Sequence, residues 1–325
     1  MYSYSLHALG TMIDASNWHR VEAYTQSLAQ AIGPASVVME IGAGFGFFAM
    51  IAARCGARHV YAVEPNPLIQ LGRELAQANG YADRITFIQG MSTTISLLEP
   101  ADVIVSDIRG ALPWLADHLP SIVDARQRHL KPGGVLIPGR DTVWAAVVHA
   151  PQHYNRLLSP WQDNGHGLNL AAAQQQELNR WRKGRVKPED LLTPPQCWAT
   201  LDYATLTEPN AKGQITWVIE QAGTAHGLSL WFESELFPGV YLSNAPDRPH
   251  NPIYSQQFFP WSQPVDLAPG DRIDVTLQTT RVENNYEWLW VTTIHSHDGG
   301  EKARFRQSTF RAQVWMSDTL RQSYV

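Results

Sequence analysis

Apolar positions along the chain fall into two textures, and the change comes near residue 140. In the first part, short apolar runs alternate with helical spacing. Asp14, Ser16 and Asn17 are suited to capping a helix, and Val21, Tyr24, Leu28 and Ile32 recur on one helical face before Gly33-Pro34 stops the run. This predicts a helix over 11–33. The apolar run from Val37 leads into a glycine loop and a helix through Phe47, Met50, Ile51 and Cys55 that ends at Gly56. A strand follows at 59–63, a helix at 67–78, strands at 85–88 and 101–107, a helix over 113–130, a sharp turn at Lys131-Pro132-Gly133-Gly134 and a strand from Val135. Such regular alternation of strand and helix predicts an α/β, doubly wound parallel sheet.

After Pro138 the pattern changes. Thr142 to Ala150 reads as an apolar strand, and residues 165–187 as a polar, Gln-rich helical excursion. From about 190 the chain carries many short strands, at 197–202, 214–221, 227–235, 272–280 and 286–295, separated by Pro and Gly clusters. That is the signature of a β-sandwich or barrel. Ten of the twelve tryptophans lie from residue 144 onward, in keeping with broad apolar sheet faces.

Composition narrows the function. The 325 residues suit two domains or one large one, and 44% hydrophobic residues supply a sizeable core. A net charge of −5 without blocks of like charge speaks against a nucleic-acid partner. Two cysteines, Cys55 and Cys197, form neither a disulfide framework nor a metal knuckle, which leads to the expectation of a reducing, cytoplasmic setting. The start of the chain lacks a signal-peptide pattern, and no apolar run of about 18 residues is present to span a membrane. His118, His129 and His149 show no metal spacing, and His295-Ser296-His297-Asp298 reads as a solvated turn rather than a triad or metal site.

The chemistry sits in the first part. Val37-Val38-Met39-Glu40-Ile41-Gly42-Ala43-Gly44-Phe45-Gly46 is a strand running into a glycine loop, and 18 residues after Gly46 a second strand ends at Glu64. Strand, glycine loop, helix, strand and acid make up the architecture that binds an adenosine-containing cofactor at the carboxyl edge of a parallel sheet. The glycines let the backbone approach a ligand where a Cβ would clash. Glu64 is placed to accept hydrogen bonds from both ribose hydroxyls. The pattern E-x-G-x-G-x-G lacks the third glycine spacing that a pyrophosphate needs, so it suits S-adenosylmethionine. Met91 and Ser92, after the third strand, border the adenine in this fold; Ser92 is either a contact or part of a plain turn. Asp107 ends an apolar strand, where an acid is costly unless it faces a cleft.

Further segments resemble the protein arginine methyltransferases along nearly the whole chain. Met12-Ile13-Asp14, then Arg20 and Tyr24, resemble the family's amino-terminal helices, with an interval from Met12 to Arg20 about two residues longer. Glu40 to Gly46 matches the glycine motif and Tyr61 to Glu64 the ribose-binding strand. Ser106-Asp107-Ile108-Arg109-Gly110 stands where the family has Ser-Glu-x-Met-Gly, and Leu130 to Pro138 matches its Leu-x-Pro-x-Gly-x-x-x-Pro stretch. Ser159-Pro160-Trp161 through Gly167-Leu168 resembles the entry to a dimerisation arm. Gly227 to Phe232 and Leu242-Ser243-Asn244-Ala245-Pro246 resemble barrel strands and a turn.

The resemblance implies N-terminal helices over the cofactor at 1–34, a Rossmann-like S-adenosylmethionine-binding domain at 35–140 and a β-barrel-like substrate domain at 141–325 with a dimerisation arm at 165–187. It implies a homodimer, with Leu168, Leu170, Leu178 and Trp181 as the arm's apolar anchors. It implies that Glu40, Gly42, Gly44, Gly46 and Glu64 hold the cofactor. Arg20 either reaches the cofactor's carboxylate or is an ordinary helix arginine, and Met12 either lines the sulfonium pocket or fills core.

Departures bear on the acceptor. Of the family's two glutamates, the first maps to Asp107 and the second to Ala116. The family's methionine maps to Arg109, which either binds a substrate carboxylate or pairs with Asp107 or Asp117. The Thr-His-Trp loop maps to Pro252-Ile253-Tyr254. The expected function is an S-adenosylmethionine-dependent N-methyltransferase for a guanidine or amine acceptor, in a small molecule, peptide or protein. Asp107 and Arg109 are its expected catalytic residues. The alternative is a silent cofactor-binding partner subunit of an active methyltransferase.

Overall fold

A computed structural model describes residues 6–162, 165–249 and 253–312. The described chain divides into two compact units. The first is assembled from three stretches, within 1–142, 200–209 and 232–254; the second from three within 143–199, 210–231 and 255–312.

The first unit holds the expected doubly wound sheet. Helices α1 (Leu6–Met12) and α2 (Trp18–Ala31) precede β1 (Val37–Ile41), α3 (Phe47–Arg54), β2 (His59–Glu64), α4 (Ile69–Ala78), β3 (Ile85–Gln89), β4 (Ala101–Ser106), α5 (His118–His129) and β5 (Leu130–Ile137). The five strands are all parallel, in the order β3-β2-β1-β4-β5. Every residue of β1 is buried, as are Val60 to Glu64 of β2. Both faces of a parallel sheet are covered, so its central strands read as unbroken apolar runs. The sheet's carboxyl edge collects Gly42, Glu64 and Asp107.

Three details depart from the sequence-based elements. The helix over 11–33 is interrupted: α1 ends at Met12, Asp14 accepts from Ser16 N at 2.8 Å to cap a 3₁₀ turn, and α2 starts at Trp18. The helix over 113–130 starts only at His118, because Ala116 takes a φ of +45°, which no helix accommodates. Residues 131–134 lie within β5 rather than in a turn; Gly133, with a φ of +76°, bends the strand, and its pairing with β4 shifts register between Ala101 and Val103.

The later strands are β6 (Arg140–Val148), β7 (Arg182–Lys183), β8 (Gln196–Asp202), β9 (Ala211–Val218), β10 (Gly223–Phe237), β11 (Val240–Ser243), β12 (Gln257–Leu267), β13 (Arg272–Val282), β14 (Asn285–His295) and β15 (Glu301–Ser308). One sheet runs β7-β12-β10-β6-β8, with β11 on β10; the other, in the second unit, is antiparallel in the order β15-β14-β13-β9. The α/β expectation followed by β-sheets is borne out. Strand β12 escapes sequence reading because Pro260 and Pro264 interrupt it. It pairs with β10 across an irregularity where Gly227, at a φ of +156°, would bring a Cβ to 2.2 Å from the Phe259 carbonyl oxygen. Alternate β13 residues are buried, and Phe259 stacks edge-on against Trp288 and Trp290, each at 5.2 Å between centroids. The late tryptophans therefore build the core of this unit.

The excursion at 165–187 is less helical than its composition predicts. Within it only Ala171–Glu177 (α7) is helical, after α6 (Pro151–Gln162). Leu178 packs into a core cluster with Val148, Tyr154, Val186 and Phe258, so it is not an outward anchor, whereas Leu168 is 64% exposed.

Candidate active site

The site grows from two strand ends in the first unit. At the end of β1 the loop 42–46 reverses direction through three glycines with φ of +73°, +56° and +80°. Gly42 N and Ala43 N donate to the Val63 carbonyl at 2.9 and 3.1 Å. A Cβ on Gly42 would sit 2.1 Å from Ile108 Cγ2, so only glycine fits beneath that side chain. Gly46 is required for another reason, since a Cβ there would meet the Phe87 ring at 2.6 Å.

Both neighbouring carboxylates are tied to backbone. Glu64 Oε2 accepts from Gly44 N at 3.0 Å and its Oε1 from Asn66 N at 2.8 Å. Glu40 Oε2 accepts from Ala49 N at 2.7 Å, in the first turn of α3. Burial pushes the Glu40 carboxyl up to about 8. Its hydrogen bond to Ala49 opposes that rise and the charge of Glu64 adds to it.

A pocket opens over this loop. Its walls bring together Met12, Arg20, Glu40, Gly42, Gly44 and Asp107, with Phe47 and Ser106. Gly46, Glu64, Met91, Ser92 and Arg109 are not among its lining residues. Glu64 lies one hydrogen bond behind Gly44. Met91 is 38% exposed, and Ser92 is buried with its carbonyl taken by Arg128 at 2.8 Å. The buried Ser106 hydroxyl in the pocket wall has no hydrogen-bond partner in the structure. A glycine cradle, a carboxylate beneath it, a cation and an unused hydroxyl together fit an adenosine-bearing amino-acid cofactor.

The end of β4 carries Asp107, whose side chain is only 5% exposed. Arg20 Nε and Nη2 hold its Oδ2, while its Oδ1 accepts from the Tyr254 hydroxyl and, at 3.1 Å, from the Tyr24 hydroxyl. Burial works against the charge on Asp107, yet Arg20 and Arg109 outweigh it and keep the carboxyl below its usual range. Burial likewise opposes charge on Arg20, and Asp107 more than offsets it, so Arg20 stays protonated. Arg20 also donates to the Met12 carbonyl at 3.0 Å and lies over the Phe48 ring at 5.2 Å. The helices α1 and α2 are thereby joined to the sheet edge.

Arg109 is fully buried and does not line the pocket. Its Nη1 donates to Asp141 Oδ1 at 2.7 Å, while its Nε stands 4.0 Å from Asp107 Oδ1. A substrate carboxylate would have to displace Asp141 to reach it. Asp124 is engaged by Arg128 on the exposed side of α5. Ala116, where a second acid is missing, occupies a left-handed turn.

Sequence reading missed Asp141, Tyr203 and the bond of Tyr254 to Asp107. Asp141 carried a weak signal: an acid just ahead of the apolar run read from Thr142, which the fold takes into β6. Tyr203 carried none. Its hydroxyl donates to Asp141 Oδ2 at 2.6 Å and lies 3.1 Å from His118 Nε2. Burial, then the charge of Arg109, pushes His118 down to about 3, so it is neutral. Pro252, part of the substituted loop, lies outside the described residues. Among the described residues no group of His, Cys, Asp and Glu is arranged to hold a metal, and neither cysteine is in a disulfide.

Comparison with known proteins agrees with this geometry. Residues 38–134 match a model described as a methyltransferase domain, and 186–312 one described as the PRMT5 oligomerisation domain. The chain is 25% identical over 347 residues to protein arginine N-methyltransferase PRMT10 of Arabidopsis thaliana, covering 95% of this chain and 90% of that protein. It is 28% identical over 335 residues to PRMT10 of Oryza sativa subsp. japonica, covering 92% and 87%. Against the probable protein arginine N-methyltransferase 6 of Arabidopsis thaliana, at 28% identity, it spans 73% of itself and only 56% of that relative. Among solved structures, arginine methyltransferase 10 of Arabidopsis thaliana, in an open conformation, superposes with a TM-score of 0.82 at 21% identity, covering 94% of this chain and 98% of that one. The PRMT1 enzyme–prozyme heterotetrameric complex of Trypanosoma brucei with AdoHcy gives 0.83 at 21% identity, covering 94% and 100%.

Proposed function

The chain is protein arginine methyltransferase-like along most of its length, and on that premise we propose that it transfers a methyl group from S-adenosylmethionine to a nitrogen of an arginine guanidine or related amine. The observation that carries this reading is the position of Asp107: a buried carboxylate at a strand end, in the wall of the pocket that the glycine loop also lines.

When bound, S-adenosylmethionine supplies a methyl on a sulfonium sulfur, which departs as a neutral thioether. Gly42 and Gly44 would give it backbone to lie on, Glu64 would accept from its ribose hydroxyls, and Glu40 stands beneath the loop. Met12 and Ser106 would face it from the pocket wall, and Arg20 would reach its carboxylate only by giving up part of its hold on Asp107 or the Met12 carbonyl. Gly46 keeps α3 close to the sheet, and Met91 and Ser92 border the adenine end. Asp107 accepts an N–H of the acceptor, aligns the nitrogen lone pair and takes up or balances the positive charge left there after transfer. A single carboxylate, with Ala116 in place of a second, grips one side of the acceptor only. Arg109, paired with Asp141, takes no part in this transfer, contrary to its expected catalytic role.

The test is incubation with isotopically labelled cofactor and a panel of arginine peptides, free guanidines and amines, followed by mass spectrometry. Methyl transfer to at least one member is expected. Tight cofactor binding with no acceptor turned over would favour a catalytically silent partner subunit, the reading that the incomplete clamp motivates.

The assembly belongs to the same proposal. The match of 186–312 to an oligomerisation model and the exposed Leu168 support a homodimer with residues 165–187 as its arm. Sedimentation equilibrium at micromolar concentration should give twice the 36.4 kDa chain mass, and a clean monomer would contradict it. Among the described residues no helix is long and apolar enough to cross a membrane. The absence of a disulfide between the two cysteines is in keeping with a cytoplasmic setting, which cell fractionation checks.

A further inference from the structure

Behind Asp107 lies a second set of buried polar groups that the proposed chemistry does not use. Arg109 is 0% exposed and packs over the Phe232 ring at 4.9 Å. Its Nη1 meets Asp141 at 2.7 Å, its Nη2 is 3.5 Å from the Tyr24 hydroxyl, and its Nε has no hydrogen-bond partner although Asp107 Oδ1 is 4.0 Å away. Asp141 is fixed from the far side by the Tyr203 hydroxyl at 2.6 Å. Tyr203 is itself held: His118 Nε2 lies 3.1 Å from its hydroxyl, its backbone N donates to the Gly139 carbonyl at 3.0 Å, and Arg126 from α5 donates to its carbonyl at 2.6 Å.

The charges balance in pairs. Arg20 faces Asp107, and Arg109 faces Asp141. Removing Asp141 would leave one carboxylate between two buried guanidiniums. A buried guanidinium without a counter-ion is strongly unfavourable, and the other carboxylate paired with Arg109 in the structure is Asp107. The Nε without a partner is the group that would close the 4.0 Å gap.

We propose that Asp141 is a positioning residue that holds Arg109 off Asp107, so that an acceptor nitrogen competes for that carboxylate only with Arg20, Tyr24 and Tyr254 and not with a second guanidinium as well. The proposal rests on the methyltransferase reading above. Asp141 touches neither ligand; it acts through Arg109. Arg109 in turn is a conditional inhibitor: harmless when paired, and a competitor for Asp107 when Asp141 is neutral. The Tyr203 and His118 segment keeps Asp141 from turning towards Asp107 itself.

The experiment compares wild type, Asp141→Asn and the double variant Arg109→Met/Asp141→Asn. Three quantities are measured: affinity for S-adenosylhomocysteine by calorimetry, kcat and KM for the acceptor, and the Arg109–Asp107 distance by crystallography. In Asp141→Asn, turnover should fall about tenfold or more while cofactor affinity stays within about twofold, because the lost interaction serves the acceptor step. Adding Arg109→Met should bring turnover back to within about threefold of wild type, a coupling that a merely structural loss does not produce. In the crystal structure of Asp141→Asn the guanidinium should contact Asp107. The proposal is overturned if the double variant is as slow as the single one, or if Arg109 keeps its distance in Asp141→Asn. Should Asp141→Asn fail to fold, the double variant, which has no unpaired buried cation, decides: an active double variant supports the proposal and an inactive folded one defeats it. If wild type methylates nothing, the functional reading fails, and the crystallographic distance still judges the role of Asp141.

Discussion

Two groups of carboxylates in and beside the pocket are held by different means. On the proposed cofactor side, Glu64 and Glu40 are fixed by backbone amides of Gly44, Asn66 and Ala49, at 2.7–3.0 Å. At the acceptor end, Asp107 is fixed by side chains: Arg20 and Tyr24 from α2, and Tyr254 from far along the sequence. A backbone amide needs only the right turn, which a short sequence motif specifies. A side-chain cage needs several distant segments to arrive together. The first arrangement tolerates change elsewhere; the second is rebuilt by single substitutions, and that is where this chain differs from the family pattern, at Arg109, Ala116 and Tyr254.

Substitutions should separate the two ends. The largest effect is expected for Gly42→Val. It combines a φ of +73° with a Cβ that would lie 2.1 Å from Ile108, so cofactor binding should be lost in titration calorimetry while α5 and the later sheets remain folded. An undiminished titration would show that the loop does not cradle the ligand.

Asp107→Asn should act the other way. Cofactor affinity stays nearly intact and turnover drops by about a hundredfold or more, within the range of a positioned acid/base group. Full activity in that variant would remove Asp107 from the mechanism. A smaller effect confined to the cofactor end is expected for Glu64→Ala, where loss of charged hydrogen bonds of about 1.5–3 kcal/mol each should weaken S-adenosylmethionine at least about tenfold. If turnover at saturating cofactor also collapses, the division between the two ends is not as sharp as drawn.

The smallest effect is on stability. Burial raises Glu40 from 4.5 to about 8 in the fold. Between these values the folded protein retains a proton that the unfolded chain has released. Its contribution to stability is therefore fully present below 4.5 and is lost as the pH rises through 8. Glu40→Gln in the cofactor-free protein should flatten the decline of Tm from pH 5 to pH 9. An unchanged slope would locate the titration elsewhere. His118 carries the opposite sign. Lowered from 6.5 to about 3, it contributes stability that is present above 6.5 and lost as the pH falls through 3.

By itself the sequence determined the parallel sheet, its glycine loop, the acid at the end of β2 and the acid at the end of β4. Each depends on neighbours within about twenty residues: an apolar run long enough for a strand, a turn only glycine can make, a carboxylate at the next strand's end. It also pointed to the β-rich second half through its spaced short strands and late tryptophans. Tertiary structure decided what short-range pattern does not encode. Ala116 broke the expected helix through its backbone angle. Pro260 and Pro264 hid β12, whose place was set by pairing across the irregularity at Gly227. Leu178, an anchor by composition, was claimed by a core cluster. Arg109 had three possible partners within reach of a sequence argument, and the fold gave it a fourth, Asp141, brought 32 positions along the chain to within 2.7 Å. A buried charge takes whichever counter-ion the packed chain delivers, and that choice exists only once the segments around it have met.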